Sequence, residues 1–167
     1  MTLTKRFALA ATFAAFIGAA PAVAQSRNIV ETAAAAGQFQ TLIAAAKAAG
    51  LVPALSAPGP LTVLAPTDRA FRRLPAGTVE SLLKPENKAQ LQAILTYHVV
   101  GSRIEAKDVP HRPTLVQTLN SSNSIRAVRR NGIVHIDGAR VTKADINTSN
   151  GVIHVIDRVL IPGQRKR

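Results

Sequence analysis

Four histidines, His98, His111, His135 and His154, are the side chains of this sequence best suited to hold a metal or to move a proton near neutral pH. A tetrahedral zinc site gathers three or four ligands, commonly with two of them about three to five residues apart. No two of these histidines are spaced that way, and no acidic cluster accompanies them, so the pattern argues against a metal. Acyl transfer needs a nucleophile on a strained turn beside a base. No Gly-x-Ser-x-Gly occurs, and Ser121, Ser122 and Ser124 fall in a polar turn. No glycine-rich stretch carries Lys-Ser or Lys-Thr, so a phosphate loop is missing too. The chain has no cysteine, which excludes disulfides, thiolate-ligated metals and a lipidated N-terminal cysteine. These absences point to a protein without catalysis or cofactor.

The other conspicuous polar residues fit structural duties. A buried imidazole such as that of His98, beside Tyr97 in an apolar stretch, is ordinarily satisfied by hydrogen bonds, and a pH-sensitive contact is its functional alternative. Thr67 and Asp68 follow Pro66, where their oxygens suit the orphan amides of a helix start. Asp145 and Ile146, within Lys143-Ala144-Asp145-Ile146-Asn147, suit a turn cap and a core position. Asn120-Ser121-Ser122 and Asn147-Thr148-Ser149 satisfy the N-glycosylation pattern, which matters only in a eukaryotic secretory route, and are expected unmodified.

The elements that position these residues read as helices first and strands second. Between Asn28 and Gly50, apolar side chains at three- and four-residue spacings predict two helices broken near Gly37, the second stopped at Gly50. Pro53, Pro58, Gly59 and Pro60 predict a loop. Leu61 to Ala65 is a short β-prone run, and a helix follows the Pro66-Thr67-Asp68 turn until Pro75. Two more short amphipathic helices are expected after Thr78 and Pro85. Strands are expected at Tyr97 to Val100, Leu115 to Leu119, Ile125 to Val128, Ile133 to Ile136 and Val152 to Ile156. Asn131-Gly132 marks a tight hairpin, and Asn150-Gly151 a turn before the last strand. The order suggests an α+β domain with helices packed on a sheet or a wedge-shaped sandwich.

Residues 1–24 have the parts of a cleaved export signal: Lys5 and Arg6, an apolar run from Phe7 to Ala20, and Ala22-Val23-Ala24. The run is shorter than the roughly 20 apolar residues of a membrane span. Cleavage there leaves 143 of 167 residues, enough for one domain with its own core, and lowers the net charge from +12 to +10. So basic a surface favours acidic polysaccharide, anionic lipid or another polyanion through long-range, salt-sensitive attraction. The few aromatic residues are not interleaved with arginine, so stacking platforms for single-stranded nucleic acid are missing. Arg72-Arg73 and Arg129-Arg130 are local doublets, and the terminal Arg165-Lys166-Arg167 is the one basic run.

Three stretches in order resemble a fasciclin-type domain. They are Leu61-Thr62-Val63-Leu64-Ala65-Pro66-Thr67-Asp68-Arg69-Ala70-Phe71, then Leu95-Thr96-Tyr97-His98-Val99-Val100, and then Asn150-Gly151-Val152-Ile153-His154-Val155-Ile156-Asp157 running on to Val159-Leu160-Ile161-Pro162. The resemblance spans about Ile29 to Pro162 and places a fasciclin-type domain at residues 25–162, before a basic tail at 163–167. It implies an α+β fold of about seven strands wedged into a sandwich with several short helices. It also implies a secreted or periplasmic, non-catalytic role in adhesion. Thr67, Asp68, Tyr97, His98 and His154 would then belong to the structural motif, with His98 tying the first stretch to neighbouring backbone. Animal relatives use an Asp-Ile-containing loop for integrin recognition, and here only Asp145 and Ile146 match it.

The expectation is therefore a monomeric, exported adhesion or surface-interaction module without cofactor or metal. Its partner would be a cell-surface protein or anionic polysaccharide, with peripheral contact to anionic membrane possible and nucleic acid excluded. Asp145, Ile146, Arg129 and Arg130 are the candidate contact residues. The alternative is a periplasmic carrier holding a small apolar ligand between helices and sheet.

Overall fold

The computed structural model describes residues 27–163. The expected export signal and the last four residues of the basic tail lie outside them. Asn28 opens α1 (Ile29–Ala36) with a capping box, its side chain accepting from the Glu31 amide while the Glu31 carboxylate accepts from the Asn28 amide. Gly37 and Gly50, both left-handed, end α1 and α2 (Gln40–Ala49) as the sequence predicts. The Pro-rich stretch is not wholly a loop. It contains α3 (Val52–Ser56), which tolerates Pro53 because the first turn lacks intrahelical partners for its amides.

β1 (Leu61–Pro66) leads through Thr67 into α4 (Asp68–Phe71), followed by α5 (Thr78–Leu82), a 3-10 turn at Pro85–Asn87 and α6 (Lys88–Tyr97). The strand expected from Tyr97 is shorter: Tyr97 completes α6, His98 caps it, and β2 is Val99–Val100 alone. Leu91, Ile94, Leu95 and Tyr97 are all buried along α6. Helical burial prevails there over the β propensity of tyrosine. A 3-10 turn at Ala106–Asp108 precedes β3 (Thr114–Gln117), β4 (Ser124–Arg130), β5 (Ile133–Ile136), β6 (Ala139–Thr148) and β7 (Gly151–Ile156).

The seven strands form a mixed sheet in the order β2-β1-β7-β6-β5-β4-β3, in which β1 and β7 are parallel and the other pairs antiparallel. β6 joins the two halves. It pairs with β5 at Ala139 and Arg140, then runs along β7 through two register shifts between Val141 and Ile146. The bend lets the halves face each other as a sandwich. One core, including Leu64, Tyr97, Ile125, Val134 and Ile156, lies between them. The other, including Phe39, Leu42, Val63, Leu95 and Ile153, lies between the first half and the helices.

Candidate functional site

The polar residues singled out in the sequence fall into two sets. The first lies at the seam between helices and sheet. Thr67 is the N-cap of α4, its hydroxyl accepting from the Ala70 amide at 3.3 Å. Asp68, already inside α4, reaches the start of α2, where its carboxylate accepts from the amides of Thr41 at 2.8 Å and Gln40 at 3.3 Å. The Asp68 carboxylate thus serves a helix remote in sequence. Burial works against its charged form, but the two amides and the nearby Arg72 charge together hold its carboxyl below the usual range.

His98 is 2 % exposed and uses both ring nitrogens. Nδ1 lies 2.8 Å from the Ile94 carbonyl in the last turn of α6, and Nε2 accepts from the Leu160 amide at 2.9 Å. One nitrogen donates and the other accepts, which fits the neutral ring. Burial pushes the imidazole down to about 4, against the pull of the Ile94 carbonyl. The His98 carbonyl also accepts from the Leu64 amide at 2.8 Å, joining β1 to the end of α6.

Asn150 belongs to this seam and escapes the sequence reading, which assigns Asn150-Gly151 only a turn. Its Oδ1 accepts from the Ile29 amide at 3.0 Å, and its Nδ2 donates to the carbonyls of Leu55 at 2.8 Å and Ala57 at 3.0 Å. One buried amide holds α1, α3 and the β6–β7 turn together. Gly151 is the first residue of β7, and a Cβ there would stand 2.0 Å from the Leu61 carbonyl oxygen. Close approach to β1 is what requires the glycine.

Asp145 and Ile146 sit inside β6, not in a turn. Asp145 has φ 56°, where the register shifts, and its Oδ1 accepts from the Ala106 amide at 2.8 Å. Its own amide donates to Nδ1 of His154 at 3.3 Å, while His154 Nε2 lies 2.7 Å from the Ile104 carbonyl. Ile146 packs partly buried against the helix-side core. Beside them, Lys107 and Arg103 hold the Glu105 carboxyl below its ordinary range. His111 meets Arg129 at 3.2 Å, and His135 lies in the middle of β5. Among the described residues, no three His, Cys, Asp or Glu side chains are grouped so as to hold a metal.

The second set occupies the outer face of the β3–β6 half. Opposite residues of paired strands share a face. Val134, Ile136 and Ala127 point into the core between the halves, which sends Arg129, opposite Val134, to that same side. Arg126, Val128 and Arg130 alternate to the outer side, with His135 and Arg140 in one row with Val128. Arg129 and Arg130, neighbours in sequence, thus take opposite faces. The Arg129 Nε is buried without a partner, whereas Arg130 is exposed. Arg126, Arg130 and Arg140 form no ion pair among the described residues.

An apolar cavity of about 60 Å³ lies between α1, α2, α3 and β1, lined by Ile29, Leu42, Leu55, Val63, Leu119 and others. Leu119 is 48 % exposed at its margin.

Residues 37–162 match the family model of the fasciclin domain. Protein sll1483 of Synechocystis sp. is 52 % identical over 111 residues, which cover 66 % of this chain and 60 % of that protein. Transforming growth factor-beta-induced protein ig-h3 of Sus scrofa is 35 % identical over 140 residues, 84 % of this chain and 20 % of that protein. The chain therefore spans less than two thirds of either relative. A solved FAS1 domain pair from the insect cell adhesion molecule fasciclin I has the same fold, with a TM-score of 0.56 at 22 % identity. The match covers 78 % of this chain and 46 % of that one.

Proposed function

The chain belongs to the fasciclin family, and on that premise we propose that it is an exported, non-catalytic adhesion module that meets an anionic partner at the cell surface or in the periplasm. The observation that carries this reading is the division among its polar residues. Asp68, His98 and Asn150 are engaged inside the fold, whereas Arg126, Arg130 and Arg140 form no ion pair among the described residues. A net charge of +12, or +10 after loss of residues 1–24, draws polyanions over a range that salt shortens. Envelope fragments from the native cell should retain the protein at low salt and release it at high salt. Equal recovery in the unbound fraction at both salts would refute the reading.

A second reading, a carrier of a small apolar molecule, is favoured by the cavity beneath α1–α3. At about 60 Å³ it is well below the roughly 150 Å³ apolar cavity that takes up benzene, so a ligand requires those helices to move outward. Native mass spectrometry of the purified protein separates the readings. A co-purified apolar ligand supports the carrier, and the bare mass alone opposes it.

A further inference from the structure

The outer face of β4, β5 and β6 carries a specific arrangement of charge. Arg126 and Arg130 are four residues apart on one strand, hence about 13 Å apart along it. Arg140 lies two strands away, level with Val128 through the pairs Val128–His135 and His135–Arg140, hence about 10 Å to the side. The three guanidinium stems rise from the corners of a triangle of about 12–13 Å sides. Val128, midway along the Arg126–Arg130 side, is 7 % exposed, as expected where long arginine stems cover an apolar floor, and His135 lies within the triangle.

The acids bordering this face are already engaged. Asp137 accepts from the Tyr97 hydroxyl and from the Arg126 amide at 3.0 Å. Asp157 accepts from the Arg140 amide at 2.9 Å and from Arg73 at 3.2 Å. Neither forms an ion pair with the three guanidinium groups.

We propose that Arg126, Arg130 and Arg140 form a docking surface for a linear acidic polysaccharide, laid flat across β4, β5 and β6. This rests on the reading of the chain as a surface-contact module. The chemistry of the face selects this occupant. Guanidinium forks match carboxylate oxygens in pairs, and three of them set wider than the Debye length of about 8 Å at physiological salt repel one another little until a polyanion spans them. Among the described residues Phe39 and Tyr97 are buried and Phe71 packs against the helix-side core, so no Phe, Tyr or Trp on this face offers nucleobases a platform. Of the two exposed large apolar side chains among the described residues, Leu115 lies opposite Arg126 on this face and Leu119 lines the helix-side cavity. A lone leucine gives little to insert into a bilayer.

The test is titration of the purified full chain, R126Q/R130Q/R140Q and the charge-matched control K47Q/R69Q/K88Q with polygalacturonate, and with phosphatidylglycerol vesicles in parallel. The expected result is that the sheet-face triple binds polygalacturonate about tenfold more weakly and with a shallower salt dependence, while the control changes less than about threefold. R126Q and R130Q singly should each weaken binding about two- to threefold, which decides the matter if the triple variant does not fold. Equal losses in the two triple variants would overturn the assignment to this face and leave only net charge. Binding to vesicles but not to polygalacturonate would overturn the polysaccharide. No binding by the unmodified chain to polygalacturonate, to vesicles or to envelope fragments would strike the surface-contact reading itself.

Discussion

At the helix–sheet seam, the polar side chains of Asp68, His98 and Asn150 each make two or three hydrogen bonds to backbone groups, at least one of them far along the chain. On the outer face of β4–β6, three arginines of equal chemical prominence form no ion pair with any described residue. A buried donor or acceptor left without a partner costs about 1–3 kcal/mol, so the seam is under strict structural constraint. An exposed arginine costs almost nothing to leave alone and is free for an outside anion. The contrast separates residues that build this fold from residues that can serve contact.

Substitutions should respect that boundary. The largest effect is expected from Gly151→Ala, whose methyl group would collide with the Leu61 carbonyl along the parallel β1–β7 pairing. Urea unfolding should show a loss of about 4 kcal/mol or more, or no folded protein. His98→Phe comes next, at about 3 kcal/mol, because it strands the Ile94 carbonyl and the Leu160 amide in the core. This residue also carries a pH signature. Its folded value of about 4 lies below the ordinary 6.5, so between those limits the unfolded chain binds a proton that the folded chain refuses. Acidification from pH 6.5 to 4 should therefore remove roughly 3 kcal/mol, and His98→Phe should lack that part of the slope.

A smaller loss, about 1 kcal/mol, is expected for Asp68→Ala, which uncaps the start of α2 without opening the core. The smallest belongs to R126Q/R130Q/R140Q, whose unfolding midpoint should shift by no more than about 0.5 kcal/mol in free energy. A large loss in this last variant would erase the distinction between seam and face.

Much of the seam was legible. Gly37 and Gly50 end their helices, Thr67 caps α4, and Asn131-Gly132 forms the hairpin with positive φ at both residues, 51° and 77°. Asp137-Gly138 makes an equivalent turn, with φ 47° and 85°, yet the strand after it is not legible in the sequence. The reason lies in β6: Ala139, Val141, Ala144 and Ile146 are its apolar residues, and the bulge before Ile146 breaks the two-residue alternation by which a strand is recognised. The same bulge places Asp145, expected as a turn cap, inside a strand, while Ile146 packs against the helix-side core as expected of a core position. The sequence suggests Asp68 as a cap of the helix that follows Pro66, yet Thr67 alone caps that helix and the Asp68 carboxylate serves the start of α2, 27 residues upstream, a pairing that only tertiary packing creates. The outer face was hidden more deeply. The Arg129-Arg130 doublet looks like one feature until the pairing with β5 sends its members to opposite sides, and Arg140 joins Arg126 and Arg130 only through the register of three strands.

The most direct test of the division between building and contact is retention on native envelope fragments at low salt, compared between the unmodified chain, R126Q/R130Q/R140Q and His98→Phe, each assayed while folded. Retention should fall about tenfold for the sheet-face triple and stay within about twofold for His98→Phe. Full retention of the triple, or a comparable fall in folded His98→Phe, would contradict it.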